Sequence, residues 1–288
     1  MKIAILGVGF LGTKLVKFFS KKFDVVCADI HPRNNFISII DATKKQEIEK
    51  FLFLEKPDIV IDTIALSSYF ACENNPKLCR ELNYESAKNI TEVCKKINAR
   101  MIFFSSSYVF NGEKGEYLET DKPNSSNKYA ESKIDAEKKV LELDNSLIIR
   151  SEPIYGFDEE KKKIVFGTNT FEFDIEVGFP NILRKPLFIE DIPPIISQLL
   201  ERKLCGVFNI AGPNKLKWID FLSDLSVLTN TKQKIKIVDS SSWILQPPYD
   251  SSLNTSKITS LGIKLTPFKT ALKELKKNYK LLKSEMIC

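Results

Sequence analysis

Tyr129 and Lys133 are the two side chains of this sequence whose types and spacing are best suited to proton transfer. Residues at i and i+4 share one face of a helix, and Lys133 falls on the apolar stripe of Tyr129, Ala136, Val140 and Leu143. An ammonium on an apolar face needs a compensating partner, because it is costly to bury alone. We expect Lys133 to lower the pKa of the Tyr129 phenol, which could then exchange a proton with a carbonyl or alcohol oxygen.

Three serines, Ser105, Ser106 and Ser107, end the apolar run that predicts a buried strand at Ala99–Ser105. Parallel α/β sheets bind ligands at the carboxyl ends of their strands, and a serine hydroxyl there can donate to a carbonyl oxygen. Alone, the serines would merely end a strand, and Tyr-x-x-x-Lys occurs often by chance. Together they favour a proton-transfer site, with the pair at 125–126 predicted to cap the helix that follows.

The chain begins with a pattern that predicts a dinucleotide-binding turn. The apolar run Lys2–Leu6 is followed by Gly7, Gly9 and Gly12 in the spacing GxGxxG, and then by a segment with apolar residues at helical spacing. Gly7 would make the tight turn, Gly9 would let a pyrophosphate approach the backbone, and Gly12 would permit close helix–strand packing. The helix N-terminus would bind the phosphates.

The second predicted strand, Phe23–Ala28, ends in Asp29, where a carboxylate can bind the adenosine ribose hydroxyls. Asp29 alone favours NAD, because it would repel a 2′-phosphate. His31 and Arg33 follow closely, and Arg33 could bind that phosphate. The choice between NAD and NADP therefore stays open. His31, the only histidine of the sequence, is expected in a loop near the adenosine rather than as a catalytic base.

These elements predict an α/β fold: a doubly wound parallel sheet, the NAD(P)-binding Rossmann fold, with a smaller C-terminal substrate lobe. Residues 1–156 are expected to form the dinucleotide-binding domain with the catalytic serine, tyrosine and lysine. Residues 157–288 are expected to be mainly a substrate-binding lobe, with 186–210 returning to the Rossmann core. Within that lobe, Phe157–Arg184 is predicted to be irregular, and Phe70–Leu82 is predicted to be a loop before a long helix.

Composition narrows the class of protein. Hydrophobic residues make up 43% of the 288 residues, enough for a sizeable core. The net charge of +6 is spread over mixed acids and bases, which favours a solvated surface over a nucleic-acid groove and suits an anionic substrate. The six cysteines form no CxxC pair, so no metal site is expected. With no signal-peptide pattern and no apolar run of roughly 20 residues, we expect a cytoplasmic protein without a membrane partner.

The segment from Met101 to Lys133, MIFFSSSYVFNGEKGEYLETDKPNSSNKYAESK, resembles the active-site segment of the extended short-chain dehydrogenase/reductase family. Within that family the chain is most similar to the dTDP-4-dehydrorhamnose reductase branch. The resemblance implies that Ser106, Tyr129 and Lys133 are catalytic. It also implies NAD(P)H-dependent reduction of a nucleotide-linked 4-keto-sugar, as in dTDP-L-rhamnose biosynthesis. A homodimer is an open expectation.

The resemblance further implies which residues contact cofactor and substrate. The cofactor contacts are expected from Gly7, Gly9, Phe10, Leu11, Gly12, Asp29, His31, Arg33, Asp41, Ala42, Ala65, Ser67, Asn83, Tyr129 and Lys133. The substrate contacts are expected from Ser67, Ser106, Ser107 and Pro153. In the family, the residue matched by Asp41 lies beside the adenine, and the one matched by Asn83 is a helix asparagine that supports the active site.

Three departures from the family pattern leave other functions open. Asp62–Ala65 stands where relatives read Asn-Ala-Ala, Pro153 replaces a substrate-contacting tryptophan, and the element 247–257 lacks its usual arginine. One alternative is a nucleotide-sugar epimerase or dehydratase with retained NAD; Ser107 stands where a dehydratase typically has aspartate, which favours the reductase. Another is a non-catalytic subunit like the β subunit of methionine adenosyltransferase, against which the intact catalytic residues count.

Overall fold

The computed structural model describes residues 1–31, 36–167, 169–170, 174–229, 234–239 and 246–285. The chain divides into two compact units. The first unit is formed by residues 1–109, 123–150 and 193–208, and the second by residues 110–122, 151–192 and 209–288.

Strands and helices alternate through the first part of the chain, as the sequence predicts. The strands are β1 (Lys2–Leu6), β2 (Asp24–Asp29), β3 (Ile37–Ile39), β4 (Ile59–Asp62), β5 (Arg100–Ser106), β6 (Leu147–Ser151), β7 (Ile154–Asp158), β8 (Lys163–Phe166), β9 (Asn169–Thr170), β10 (Ile175–Val177), β11 (Leu183–Arg184), β12 (Leu187–Phe188), β13 (Gly206–Ile210), β14 (Leu216–Lys217) and β15 (Ile235–Ile237). The helices are α1 (Phe10–Phe19), α2 (Lys45–Glu55), α3 (Tyr69–Asn74), α4 (Pro76–Arg80), α5 (Ser86–Ile97), α6 (Lys128–Val140), α7 (Ile192–Glu201), α8 (Trp218–Thr229), α9 (Ser256–Thr259) and α10 (Phe268–Glu285). A π-helical turn covers Glu81–Glu85, and 3-10 turns cover Ser107–Val109 and Ile189–Asp191.

Within the described residues, seven strands form one sheet in the order β13-β6-β5-β4-β1-β2-β3. The pairs β1–β2, β1–β4, β2–β3 and β4–β5 are parallel. The strand order reverses direction between β1 and β4, which is the topological switch point where such sheets bind ligands. The predicted doubly wound parallel sheet is confirmed.

The core of the first unit explains why these short runs become strands. Parallel strands covered by helices on both faces are apolar along their whole length, and β1, β4, β5 and β6 contribute Leu6, Val60, Met101 and Ile148 to one buried cluster. From α5, Ile90 packs into the same cluster. All five side chains are fully or almost fully buried, so truncating the Leu or Ile side chains to alanine would cost about 2–5 kcal/mol each.

The second unit contains strands where the sequence predicts irregular structure. Among its described residues, β12, β7, β8 and β9 form one sheet, and β7 and β8 are antiparallel neighbours. The residues between β7 and β8 form a hairpin turn, in which Asp158 Oδ1 accepts from the backbone N–H groups of Glu160 and Lys161. Lys162 completes the turn with φ of 55°. The prediction for Phe157–Arg184 was therefore wrong, because turn chemistry concealed a hairpin.

The predicted loop before α5 is also helical. Ser68 caps α3 by accepting from the backbone of Ala71 at 3.3 Å. Asn75 caps α4 by accepting from Leu78 at 3.1 Å, with a proline at the first helical position. Side-chain caps and an N-terminal proline are sufficient to start helices of this length. The chain then passes through the π-helical turn into α5 without leaving the helical conformation.

Candidate active site

The helix α6 presents Tyr129 and Lys133 on its buried face, as predicted. Their side chains are 6% and 1% exposed. The helix is capped by Asn127, whose side chain accepts from the backbone N–H of Ala130 at 2.8 Å. The predicted cap at 125–126 is therefore displaced by one residue. Serine and asparagine are about equally good caps, so composition could not choose between neighbouring positions.

Ser106, the last residue of β5, lies beside Tyr129, close enough for its hydroxyl to act on the pKa of the Tyr129 phenol. The backbone N–H of Tyr108 donates to Ser106 Oγ at 3.2 Å and fixes that hydroxyl at the strand end. The rings of Tyr108 and Tyr129 meet edge to face, with centroids 6.2 Å apart. The structure thus brings together the serine and the tyrosine that the sequence analysis selected.

The electrostatics of Tyr129 differ from the expectation. Burial raises the pKa of its phenol above the ordinary value, and the nearby Ser106 hydroxyl opposes that shift. Lys133 does not rank among the principal causes; its Nζ lies 4.2 Å from the centroid of the Phe103 ring. In this structure the phenol is held protonated, which is the state that a proton donor requires.

The charges of two buried carboxylates act on Lys133 instead. Burial lowers the pKa of Lys133 to about 8, while the charges of Asp62 and Glu137 oppose the shift. Glu137 is itself paired with Arg150 through two contacts, 3.0 Å to Nε and 2.7 Å to Nη2. Asp62 was not predicted as a site residue. Its one sequence signal is an acidic residue closing the apolar run of β4, where relatives carry asparagine.

Asn83 lies at the centre of the π-helical turn with no exposed surface. Its Oδ1 accepts from the backbone of Leu66 at 2.8 Å, and its Nδ2 donates to the Leu66 carbonyl at 3.2 Å. The same Nδ2 donates to Ser132 Oγ on α6 at 3.1 Å and lies 3.4 Å from the Cys79 thiol. Asn83 therefore joins the segment after β4 to the helix that carries the tyrosine.

The glycine turn has the shape that its spacing predicts. Gly7 adopts φ of 85°, and a Cβ there would meet the backbone nitrogen of Ile64 at 2.9 Å. A Cβ on Gly12 would collide with the Gly7 carbonyl oxygen. Gly9 differs, because a Cβ there would meet nothing within 4 Å. The backbone is thus open at the N-terminus of α1, where Phe10 and Leu11 form the first turn and no side chain caps the helix.

Asp29 supports this turn through its carboxylate. Asp29 Oδ2 accepts from the backbone N–H of Val8 at 2.6 Å, and Oδ1 accepts from that of His31 at 2.9 Å. His31 is exposed, next to the end of β2. Arg33 lies outside the described residues. An acidic side chain beside an open glycine turn fits a dinucleotide, whose pyrophosphate and ribose need these two groups.

The remaining predicted contacts follow other strands of the sheet. Asp41 Oδ1 accepts from the backbone and the hydroxyl of Thr43, at 3.0 and 2.6 Å. Burial tends to raise the pKa of Asp41, but those hydrogen bonds and the Lys44 charge hold it below the ordinary value. The carbonyl of Ala42 accepts from Asn89 Nδ2 at 3.0 Å.

Strand β4 ends at Asp62, so Ala65 and Ser67 lie in the segment that follows, both exposed. Ser107 is buried in its 3-10 turn. Pro153 belongs to the second unit, where its carbonyl accepts from Leu187 at 2.9 Å.

The described residues were also considered as a metal site and as membrane-spanning helices. No group of three or more His, Cys, Asp or Glu residues in that part of the chain could hold a metal ion. Among the described helices, none is both long and apolar enough to cross a membrane.

Comparison with known proteins gives one family and several distant relatives. A family model described as RmlD substrate binding domain matches residues 1–281. Methionine adenosyltransferase 2 subunit beta of Bos taurus is 26% identical over 92% of this chain and 84% of its own length. dTDP-4-dehydrorhamnose reductase of Aggregatibacter actinomycetemcomitans is 24% identical over 93% of this chain and 95% of its own length.

A solved structure gives the same picture. The crystal structure of a hypothetical dTDP-4-dehydrorhamnose reductase from Sulfolobus tokodaii superposes with a TM-score of 0.76 and 27% identity. The match covers 91% of this chain and 94% of that one. Each of these is a protein that this chain resembles over nearly its whole length.

Proposed function

This chain belongs to the RmlD substrate binding domain family, and from that membership we propose that it is an NAD(P)H-dependent reductase of a nucleotide-linked 4-keto-sugar. The proposed substrate is dTDP-4-dehydro-6-deoxy-L-mannose, and the product is dTDP-L-rhamnose. The observation that carries the proposal is the approach of Ser106, at the carboxyl end of β5, to the buried Tyr129 of α6, the helix that also carries the buried Lys133.

The chain's own residues divide the chemical work. Ser106 would donate a hydrogen bond to the substrate carbonyl oxygen and fix its position. Tyr129 would transfer its phenolic proton to that oxygen as the carbonyl becomes an alcohol. The bound nicotinamide cofactor supplies the hydride for the same carbon. Carbonyl, hydride and proton together give the alcohol, so no further reactant is needed.

The cofactor would bind along the edge where the glycine turn is open. The N-terminus of α1 would hold the pyrophosphate, because no side chain caps that helix and the space beside Gly9 is open. Asp29 would hold the adenosine ribose hydroxyls, and Asp41 and Ala42 would lie near the adenine. We propose that residues 1–156 provide these contacts and that residues 157–288, including 186–210 where the chain returns to the core, mainly bind the sugar nucleotide.

A second candidate function is favoured by a specific observation. The regulatory-type relative, methionine adenosyltransferase 2 subunit beta, is as similar to this chain as the reductases are. In that case the chain would bind a partner protein and not turn over a keto-sugar. The buried Tyr129 and Lys133 argue for the reductase, because a purely structural protein has no need to bury an ammonium.

The test follows the absorbance of reduced cofactor at catalytic concentrations of purified protein. With NADPH or NADH and the dTDP-linked 4-keto-sugar, we expect steady oxidation of the cofactor and a reduced sugar product. Lack of oxidation with any nucleotide-linked keto-sugar would overturn the reductase. If NAD remained bound to the purified protein and the sugar nucleotide were epimerised, the retained-cofactor alternative would be correct.

A further inference from the structure

Asp62 is a buried carboxylate without an obvious structural use. It is the last residue of β4 and is 1% exposed. Its Oδ1 accepts from the backbone N–H of Ile64 at 3.0 Å, and its Oδ2 has no hydrogen-bond partner among the described residues. A buried carboxylate is costly unless a charge or hydrogen bonds compensate it. An asparagine at this position could make the same bond to Ile64 without that cost.

The register of the sheet places Lys133 near this carboxylate. Asp62 pairs with Phe103 on the adjacent parallel strand β5, and residues in register on neighbouring strands point to the same face of a sheet. Lys133 Nζ lies 4.2 Å from the centroid of that Phe103 ring. The acidic end of β4 and the ammonium from α6 thus share one buried patch on one face of the sheet.

We propose that Asp62 is a positioning residue that keeps Lys133 charged and in place beneath the catalytic face of α6. This inference deepens the proposed function and rests on it, because it takes Lys133 to belong to the reductase site. Asp62 would act through Lys133 and contact neither substrate nor the reacting atoms.

The other ionisable groups near Lys133 are less suited to this role. Glu137 is its second acidic neighbour, but both Glu137 oxygens are engaged by the Arg150 guanidinium. The thiols of Cys72 and Cys79 also face Lys133, and Cys94 faces Asp62. Tyr129 lies one helical turn before Lys133 on α6.

The electrostatics of the two groups agree with this geometry. Burial raises the pKa of Asp62 to about 6, opposed by the charge of Lys133. Burial lowers the pKa of Lys133 to about 8, opposed first by the charge of Asp62. Between these two values both groups are charged and each stabilises the other's ionised form.

The test is the titration of Lys133, read by NMR from protein labelled with ¹³C at the lysine Cε. The Lys133 signal is assigned by its loss in Lys133→Met. In Asp62→Asn we expect the Lys133 midpoint to fall by about one pH unit or more. Asp158→Asn is the matched control, because Asp158 is another buried aspartate whose Oδ2 has no hydrogen bond among the described residues, but it pairs with Lys161 at 3.9 Å and lies in the second unit. That control should leave the midpoint unchanged.

A second measurement needs no variant. In the native protein the Lys133 signal should show an additional inflection near pH 6, as protonation of Asp62 removes the neighbouring charge. If Asp62→Asn folds and the titration midpoint of Lys133 does not change, the proposal is wrong. If Asp62→Asn does not fold, the native protein decides: absence of the inflection near pH 6 would then show that the proposal is wrong. Both readouts are independent of turnover, so they stand apart from a failure of the reductase assay. If the protein is an active reductase, the alkaline fall of its kcat/KM should occur at a lower pH in Asp62→Asn than in the native protein.

Discussion

Asn83 Nδ2 donates to Ser132 Oγ at 3.1 Å and so connects a π-helical turn to α6. Ser132 lies between Tyr129 and Lys133 on that helix. Ser132 Oγ in turn donates to the Tyr129 carbonyl at 2.7 Å. Because Asn83 also holds both backbone groups of Leu66, one amide fixes the distance between α6 and the segment after β4. π-helical turns are frequent at functional sites, and here the turn aims a buried side chain at the catalytic helix.

Replacing Asn83 with alanine should therefore affect both stability and turnover. The change leaves the half-buried N–H of Leu66 without its partner, leaves its carbonyl with only the Cys72 thiol as a donor, and removes the tie to Ser132. We expect this to cost about 2–4 kcal/mol. Thermal unfolding followed by circular dichroism would show the loss, and turnover per folded molecule should also fall. Thr91→Val, which removes a buried hydroxyl bonded to the Ala87 carbonyl on α5 and to the Met101 sulfur on β5, should leave turnover unchanged. An unaltered melting temperature in Asn83→Ala would contradict the role assigned to this amide.

Tyr129→Phe tests the proton donor directly. The variant keeps the buried ring and removes only the hydroxyl that Ser106 contacts, so we expect an intact fold and a loss of about 10²–10⁴ in kcat. Tyr84→Phe is the matched control, because it removes the hydroxyl of another tyrosine in the same unit. The measurement is the rate of cofactor oxidation at saturating keto-sugar. Full turnover in Tyr129→Phe would exclude this tyrosine as the proton donor for any substrate.

The sheet and the first part of the site could be predicted because they depend on local patterns. Apolar runs, glycine spacing and strand-end serines define the sheet edge, and the i and i+4 spacing of Tyr129 and Lys133 then puts them on one helix face. The family resemblance extended this to the whole chain and is confirmed by the family model that matches residues 1–281. The contacts assigned to cofactor and substrate stay predictions.

The features that the sequence could not predict depend on the register of the strands and on how deeply individual side chains are buried. The proximity of Asp62 and Lys133 depends on strand pairing and on how closely α6 packs against Phe103. Neither property has a signal in the local sequence. Burial reverses the expected direction of the Tyr129 pKa for the same reason. The π-helical turn around Asn83 has the sequence of an ordinary helix, so its hydrogen bonds were not foreseeable.

Gly9 and Gly12 allow cofactor binding to be separated from folding. Gly9 has open space around its missing Cβ and φ of −79°, which alanine readily adopts. Gly9→Ala should keep its stability within about 0.5 kcal/mol, yet weaken binding of NADH or NADPH at least about tenfold, since a methyl group would occupy the approach to the pyrophosphate. Fluorescence titration of the reduced cofactor gives the affinity.

Gly12→Ala should give the opposite pattern. Its Cβ would collide with the carbonyl of Gly7, so strand β1 and helix α1 must move apart. We expect a loss of about 1–3 kcal/mol in the free energy of unfolding. If Gly9→Ala bound cofactor normally, the open space at Gly9 would have another purpose.

Asp29 should set the preference between the two cofactors. Asp29→Asn keeps the shape of the side chain but removes the charge that repels a 2′-phosphate. We expect the ratio of NADH to NADPH affinity to fall about tenfold, the size of one hydrogen bond to a charged group. A ratio is the proper readout, because the variant also weakens the bonds from Val8 and His31 that affect both cofactors. Arg33→Ala should shift the ratio the other way, and an unchanged ratio in both variants would place the discrimination elsewhere.

Glu152 should make stability depend on pH. This residue of the second unit is 1% exposed; Oε1 accepts from the Leu253 backbone at 3.1 Å, and Oε2 is unpartnered among the described residues. Burial raises the pKa of its carboxyl from 4.5 to about 7, opposed by the charges of Arg184 and Lys185. The folded state therefore holds this proton more tightly than the unfolded state, and stability falls as pH rises from about 4.5 to 7.

Glu152→Gln removes that titration while its side-chain oxygen can still accept from Leu253. Relative to the native protein, the variant should gain stability as pH rises from 4 to 8, by up to about 3 kcal/mol. Denaturant unfolding at several pH values between these limits gives the free energy of unfolding of both proteins. In the difference between them, the contributions of all other titrating groups cancel. Glu160→Gln, which changes an exposed carboxylate of the same unit, should show no such trend. A difference that stays constant with pH would mean that Glu152 has the same pKa in the folded and unfolded protein, with the charges of Arg184 and Lys185 cancelling the effect of burial.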